Sequence, residues 1–342
     1  MELPRPNWFA VAYAELLAGQ NLESATVTEA FRDLLAGRVE ETFAAAFLTA
    51  LRMKGETASE IAAAASALRE QMVRLVPVGG PVIDTCGTGG DGASTFNIST
   101  AAAFVTAGAG VPVVKHGNRA VSSSSGSADV LRELGVNLEA GPAWAQKCLD
   151  RIGFAFCYAP HFHTGMSYVA RLRRKLGVRT IFNLIGPLAN PAGADYQVLG
   201  VGKPELLDQL AGAVARLGVR RCVLVCSRDG LDEVSLGAPT DVRIVEGNDF
   251  TNTVWQPEEL GLGEVNVDSL RVENALESAA VIRSVLSGED GPAARVTLAN
   301  AATALYAAGL FAQPSEAVAA ARASIASGKA RHVLDQLIAL KN

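Results

Sequence analysis

The stretch Val82-Ile83-Asp84-Thr85-Cys86-Gly87-Thr88-Gly89-Gly90-Asp91-Gly92-Ala93-Ser94-Thr95-Phe96-Asn97-Ile98-Ser99-Thr100 decides the fold. Val82 to Thr85 reads as a short buried strand, and Cys86 to Asn97 as a glycine-rich loop. Ser99 to Ala107 reads as a helix and Val111 to Val114 as a second buried strand. Strand, helix and strand in that order make a βαβ unit, hence a parallel pair with a right-handed crossover. Further apolar runs at Phe154 to Cys157, Gln197 to Val201 and Cys222 to Cys226 alternate with helical segments such as Pro204 to Leu217. A weaker strand is expected near Val242 to Val245, and an Ala-rich helical region from Ala293 to Leu340. The expected class is α/β, with a central, mostly parallel sheet flanked by helices.

Upstream, the first 75 residues read as helices. Ala14, Leu16 and Leu17, then Ala30, Phe31, Leu34 and Leu35, then Phe43, Ala46, Phe47, Ala50 and Leu51 recur at helical spacing. Thr28 before Glu29 is a candidate cap, and Thr57-Ala58-Ser59-Glu60 opens a helix expected to run to about Val73. Ala62 to Ala65 carry little side-chain bulk, which suits close helix–helix contact or a subunit interface. Pro77-Val78-Gly79-Gly80-Pro81 is loop-forming, a candidate linker and hinge. The expected division is a small helical domain over 1–76, joined by the helical segment 167–190, and an α/β domain over 77–342.

The chain has 342 residues, 49% hydrophobic and 19% charged, enough apolar material for a large core or two. A net charge of −5 argues against a broad nucleic-acid footprint. The apolar run Ala101 to Val114 is broken by Gly108, Gly110 and Pro112 and is too short to span a bilayer. The opening Met1-Glu2-Leu3-Pro4-Arg5-Pro6 has no secretion pattern, so a cytoplasmic protein is expected. Five cysteines (Cys86, Cys148, Cys157, Cys222, Cys226) form no CxxC pair, which argues against a disulfide framework or a zinc ribbon.

Three phosphate-binding patterns can be tested on the loop. A Walker A loop fails, because Ala93-Ser94 follow Gly92 where Lys and Ser/Thr are required. Gly87, Gly89 and Gly92 satisfy GxGxxG, but the second strand ends in Lys115-His116 and not in the acidic residue that holds a ribose. The third pattern is a phosphate cradle without a base. In it, glycine amides approach anionic oxygens, Asn97, Ser99 and Thr100 cap a helix N-terminus, and Lys115 and Arg119 supply full charge. The run Lys115 to Asp129 adds hydroxyls and another glycine turn before a helix, unless its serines form a flexible linker. Asp232-Glu233, beyond the Val223-Leu224-Val225 strand, are natural Mg2+ ligands or else a solvated turn.

These residues resemble the anthranilate phosphoribosyltransferase family. The resemblance rests on Gly87-Thr88-Gly89-Gly90-Asp91, Asn97-x-Ser99-Thr100, Lys115-His116-Gly117-Asn118-Arg119, Gly126-Ser127-Ala128-Asp129, Arg179-Thr180-Ile181-Phe182-Asn183, Gly186-Pro187-Leu188-x-Asn190-Pro191 and Asp232-Glu233. The stretch Ala50 to Thr57 is similar to the helical-domain signature of the family. The resemblance implies transfer of a phosphoribosyl group from phosphoribosyl pyrophosphate to anthranilate in tryptophan biosynthesis, with Mg2+ at two ions per subunit. It also implies a homodimer joined through the helical domain. Carried over, Gly87, Thr88, Gly89, Gly90, Asp91, Thr95, Asn97, Ser99, Thr100, Lys115 and Ser127 would hold the donor. Ser99, Asp232 and Glu233 would hold metal, and Gly87, His116, Asn118, His163, Arg173, Gly186 and Pro187 would line the anthranilate channel.

Lys115, Arg173 and His116 would then be the catalytic set: Lys115 on the leaving group, Arg173 on the acceptor carboxylate, His116 positioning substrate. By its residues alone, Arg173-Arg174-Lys175 could equally be a solvated basic face. The chain departs from the pattern at His163-Thr164-Gly165-Met166, where the family has His-Pro-Ala-Met, and at Ser124, where it has a cation. Nucleoside phosphorolysis and a non-catalytic nucleic-acid-binding role are the alternatives the same fold allows.

Overall fold

Alternate residues of each central strand are apolar on both faces, so the sheet must be covered twice. In the computed structural model, which describes residues 4–120 and 125–340, that is the arrangement. Ser124 lies outside the described residues. Four helices open the chain: α1 (Phe9–Leu17), α2 (Ser24–Leu35), α3 (Glu41–Lys54) and α4 (Ala58–Glu70). The remainder runs β1 (Ile83–Gly87), α5 (Ile98–Gly108), β2 (Val113–Gly117), α6 (Ser127–Glu133), α7 (Gly141–Ile152), β3 (Phe154–Tyr158), α8 (Ala159–Phe162), α9 (Met166–Leu176), α10 (Phe182–Ile185) and β4 (Tyr196–Gly200). It ends with α11 (Leu207–Arg216), β5 (Arg221–Ser227), β6 (Thr240–Glu246), β7 (Asp249–Trp255), α12 (Ala275–Leu286), α13 (Pro292–Ala307), α14 (Pro314–Ala326) and α15 (Lys329–Ala339).

The strand order is β3-β2-β1-β4-β5-β6-β7. The first five are parallel, while β6 and β7 return antiparallel. Along β5, Val223 and Val225 face one core with α5 and the C-terminal helices. Cys222, Leu224 and Cys226 face the other with α11 and the N-terminal helices. Both cysteines therefore pack as small hydrophobes, and all five are free thiols. The order reverses between β1 and β4, whose ends Gly87 and Gly200 are paired in register. Ligands of open parallel sheets bind in the crevice beyond such a switch point.

Several local expectations are corrected. Thr28 is no cap: it sits inside α2 and donates its hydroxyl to the Ser24 carbonyl 2.8 Å away. The fourth helix stops at Glu70, short of Val73, but its Thr57–Glu60 capping box is formed as expected. Ala62 to Ala65 are all buried within the chain, where α4 packs on α2 and α11. At their C-terminal ends β1, β2, β3 and β5 extend further than their apolar runs, while β4 stops at Gly200, so Lys115 and His116 belong to β2 itself. The antiparallel edge strand β7 carries no clean alternation of burial and was not foreseen. No helix among the described residues is long and apolar enough to cross a membrane.

Segment 167–190 is far in sequence from the N-terminal helices yet shares their core. Val169, Leu172, Ile181 and Phe182 join the cluster of Phe31 and Phe47, and the rings of Phe31 and Phe182 lie 5.2 Å apart. Arg69 of α4 donates to the carbonyls of Leu188 (2.7 Å) and Leu217 (3.1 Å), tying the helices to the sheet side.

Candidate active site

Gly87 and Gly200 bring the ends of β1 and β4 to the crevice, and the β5–β6 loop drops Asp232 between them. A methyl group at Gly200 would lie 1.8 Å from the Asp232 carbonyl oxygen, and one at Gly87 2.7 Å from its carboxylate Oδ2. Only glycine permits that approach. We expect Gly200→Ala to destabilise the fold by about 1–3 kcal/mol, as overpacking does, and to displace Asp232. Urea midpoints and the Mg2+ requirement for donor binding should both shift.

The two carboxylates of this loop are aimed differently. Asp232 Oδ2 accepts from the Gly89 amide at 3.1 Å, and Glu233 Oε1 accepts from the Ser99 amide at 3.0 Å. The second contact places an anion on the N-terminus of α5, where the helix dipole favours it. Burial pushes both carboxyls above their ordinary range, and repulsion from Asp91 on Asp232 and from Asp232 on Glu233 adds to it. The Gly89 and Ser99 amides and the nearby Lys115 ammonium offset only part of this cost. With the Ser99 hydroxyl the two carboxylates form an oxygen donor set that fits a hard divalent cation. Among the described residues no three His, Cys, Asp or Glu side chains gather closely enough to hold a metal ion, so such a cation would complete its shell with water and substrate oxygens.

Lys115 is buried beneath this pair. Its ammonium donates to the Thr85 carbonyl and, at 3.1 Å, to Ser99 Oγ. It supports the cradle from behind, not from the cleft face the strand end suggested. Arg119 turns to Glu139 (3.5 Å) and does not join the cradle. Asn97 starts α5, but its side chain caps nothing. Instead its Oδ1 accepts from the hydroxyls of Ser125 and Ser278, each at 2.8 Å. Ser99 and Thr100 lie in the first turn, with the Thr100 hydroxyl buried and unpartnered.

Only the first half of the glycine loop is open. Thr88 is pinned to the end of β4 through Gly200 and Gly202, and Ser94 to Phe96 pair with the strand-like segment Leu270 to Val272. Thr95 is therefore held by a bridge to Arg271, while Gly89 and Gly90 are exposed and the Gly89–Asp91 backbone packs on Gly202 beyond β4. Arg179 lies over Gly90 and donates to the carbonyls of Thr88 (3.4 Å) and Gly89 (3.3 Å). Ser127 packs its hydroxyl against Gly117 at the start of α6, and the Asn118 side chain accepts from the Arg119 amide at 2.8 Å.

His116 and His163 meet as a buried pair, Nε2 to Nε2 at 3.2 Å with rings edge to face. Burial, with His163 beside it, holds His116 down at about 3, and burial holds His163 at about 4. Both are neutral at pH 7, so His116 is a positioning group and a poor base. A histidine whose folded pKa is depressed binds its proton more readily when unfolded. The pair therefore subtracts stability progressively as pH falls below about 6.5, and nothing above it. The melting temperature of the native chain should fall more steeply between pH 6.5 and 4 than that of His163→Gln.

Arg173 settles the question of the basic face. Its neighbours Arg171 and Lys175 are exposed and both pair with Glu41 (2.8 and 2.5 Å). Arg173 is half-buried, makes no ion pair among the described residues, and lies near enough to Arg179 for burial and that like charge to lower its pKa. Gly186 and Pro187 follow α10, with the Pro187 carbonyl accepting from Gln197 at 2.7 Å. Gly165 has a local reason: a Cβ there would stand 2.8 Å from the Leu35 carbonyl, so the loop after His163 sits tight on α2.

Sequence reasoning missed the residues that hold these groups in place. Asp84 is fully buried and accepts from the His116 amide (3.1 Å) and from Asn190 (2.8 Å). Ser278 holds Asn97, and Asn300 holds Val234. Asp84 and Asn190 at least stand inside quoted motifs, but Ser278 and Asn300 carry no local signal.

A helical bundle joined to an α/β domain whose sheet reverses at a glycine loop and a pair of carboxylates has the two-part architecture of the glycosyl transferase family. The model of the glycosyl transferase family helical bundle domain matches residues 12–72, and that of the glycosyl transferase family a/b domain matches residues 79–331. The anthranilate phosphoribosyltransferase of Moorella thermoacetica is 46% identical over 95% of this chain and 96% of its own. That of Thermomicrobium roseum is 47% identical over 96% and 95%. The crystal structure of the Thermus thermophilus enzyme (TrpD) superposes with a TM-score of 0.89 at 44% identity, covering 96% of this chain and 98% of the other. The Saccharomyces cerevisiae enzyme in complex with PRPP and Mg gives 0.89 at 31% identity, covering 97% of each. The chain belongs to the anthranilate phosphoribosyltransferase family.

Proposed function

We propose that this chain transfers the phosphoribosyl group of phosphoribosyl pyrophosphate to anthranilate, giving N-(5-phosphoribosyl)anthranilate and pyrophosphate. The observation that carries the reading is that Asp232 and Glu233 reach the Gly89 and Ser99 amides at the switch point of the sheet; the half-buried Arg173, with no ion pair among the described residues and near Arg179, which donates to the glycine-loop carbonyls, supports it. Gly87, Gly89, Gly90, Asp91 and Asn97 would border the donor, Thr95 and Ser127 would shape its walls with Thr100 buried behind them, and Ser99, Asp232 and Glu233 would hold Mg2+, two ions per subunit. When bound, Mg2+ neutralises charge on the diphosphate.

Arg173 takes the acceptor carboxylate in its planar fork and aims the amine at C1. His116, His163, Asn118, Gly186 and Pro187 frame the aromatic ring. The aryl nitrogen forms its bond to C1 as the C1–oxygen bond breaks, the bonding pair leaving with the diphosphate. The amine's proton then passes to solvent or to the diphosphate, because the buried neutral histidine pair is too weakly basic to accept it.

The helical part is read as a domain over 1–76 completed by 167–190, with 77–342 as the α/β domain and Pro77 to Pro81 as the hinge. A homodimer through the helical domain is supported by the exposed apolar side chains of Val11, Leu17 and Met53 (64, 68 and 83% exposed), and the protein is read as cytoplasmic. Loss of anthranilate fluorescence on addition of phosphoribosyl pyrophosphate and Mg2+ tests the reaction. Phosphate-dependent nucleoside cleavage in its place would overturn it, and light scattering tests the dimer.

A further inference from the structure

Asn300 is an odd residue where it stands. It lies in the Ala-rich stretch Thr297-Leu298-Ala299-Asn300-Ala301-Ala302 of α13, only 3% exposed. Asparagine is a poorer helix former than alanine, and a buried amide is costly unless every polar atom is used. Here both polar atoms are used, mostly on the backbone of one residue 66 positions away. Asn300 Oδ1 accepts from the Val234 amide at 2.9 Å, and Nδ2 donates to the Val234 carbonyl at 3.0 Å and to the Val296 carbonyl at 2.9 Å. The first two bonds reproduce, with a side chain, the two-point pairing of a sheet ladder.

Val234 follows Glu233 directly and lies past the end of β5, where strand pairing has stopped at Ser227. The preceding part of the loop is closed by its own contacts, Ser227 amide to Leu231 carbonyl and Arg228 amide to Pro239 carbonyl, each at 2.9 Å. Asp232 and Glu233 must diverge, one toward Gly89 and the other toward Ser99, although both are interior acids that repel each other. A backbone fixed immediately after them resists their swinging outward to water. Asn300, Glu233 and Ser99 also border one small void of about 10 Å³, about the space of a single water, so the clamp and the carboxylate are neighbours.

We propose that Asn300 is a positioning residue that, by clamping the Val234 peptide, holds Glu233 in the orientation that receives the divalent cation accompanying the donor. The inference rests on the reading of Asp232 and Glu233 as cation ligands. Asn300 touches neither substrate nor metal, so its effect must travel through Glu233.

The test is calorimetric binding of phosphoribosyl pyrophosphate to the full-length protein across a Mg2+ titration, without acceptor. Asn300→Ala should raise the half-saturating Mg2+ by about tenfold, the worth of two ordinary hydrogen bonds. At saturating Mg2+ the anthranilate KM should stay within about twofold. In a Glu233→Gln background, Asn300→Ala should add nothing further. An unchanged Mg2+ midpoint in Asn300→Ala, or a full additive shift on top of Glu233→Gln, overturns the proposal. Should Glu233→Gln itself leave the midpoint unmoved, the cation-ligand reading fails, which is a separate result. Hydrogen exchange of the Val234 amide in the native, ligand-free chain needs no variant to fold: slow exchange is expected, and exchange at the rate of an open loop overturns the clamp.

Discussion

Asp232→Asn with Glu233→Gln is expected to lower turnover by roughly 100- to 1000-fold, the range seen when one preorganised charge-stabilising group is lost, and to flatten the Mg2+ dependence of the rate. The amides keep the shape of the carboxyls and can still accept from Gly89 and Ser99, so the crevice should not collapse. Stability should move the other way. Burial and mutual repulsion raise both acids, so the ligand-free fold gains when their charge is removed above the ordinary carboxylate range. A slow enzyme with an unchanged or higher melting temperature is therefore the expected pair of results. Mg2+ titrations indistinguishable from the native protein would remove these residues from the cation site, and a large loss of melting temperature would make the effect structural.

Arg173→Ala should raise the KM for anthranilate by about 30- to 200-fold, corresponding to the roughly 2–3 kcal/mol lost when one partner of a desolvated charged pair is truncated. The KM for phosphoribosyl pyrophosphate should change far less. The asymmetry follows from geometry: Arg173 has no carboxylate of its own among the described residues, whereas Arg179 beside it is engaged on the Thr88 and Gly89 carbonyls. Arg173→Lys should recover only part of the affinity, since an ammonium cannot match both oxygens of a planar carboxylate. Steady-state kinetics with each substrate varied in turn decide the matter. A larger rise for the donor than for the acceptor would move Arg173 to the diphosphate side.

Much of the fold was legible because it is written in neighbouring residues. The βαβ unit around Val82 to Val114 follows from short β-branched runs, loop glycines and a helix-start pattern within about thirty positions. The capping box of Thr57 and Glu60 was equally local. Thr28 misled for the same reason: threonine caps helices and also bonds back inside them, and the letters Thr-Glu do not distinguish the two. The edge strand β7 escaped because none of its residues is fully buried, so its sequence lacks the alternation that a one-sided core contact imposes. Within the site, the quoted motifs named most residues near the crevice but not their orientation. Lys115 was expected to face the ligand and lies beneath Ser99, and Asn97 was expected to cap and holds two serines.

By itself the sequence determined the α/β class, the glycine loop, the acidic pair and the family, since each rests on local spacing or on ordered motifs. Only the tertiary structure decided that Arg173 turns inward while Arg171 and Lys175 turn to Glu41, that His116 meets His163, and that Asn300 reaches Val234. Those meetings depend on the order β3-β2-β1-β4-β5 and on how helices close over its two faces. That packing is a property of the whole chain, and no short window of residues contains it.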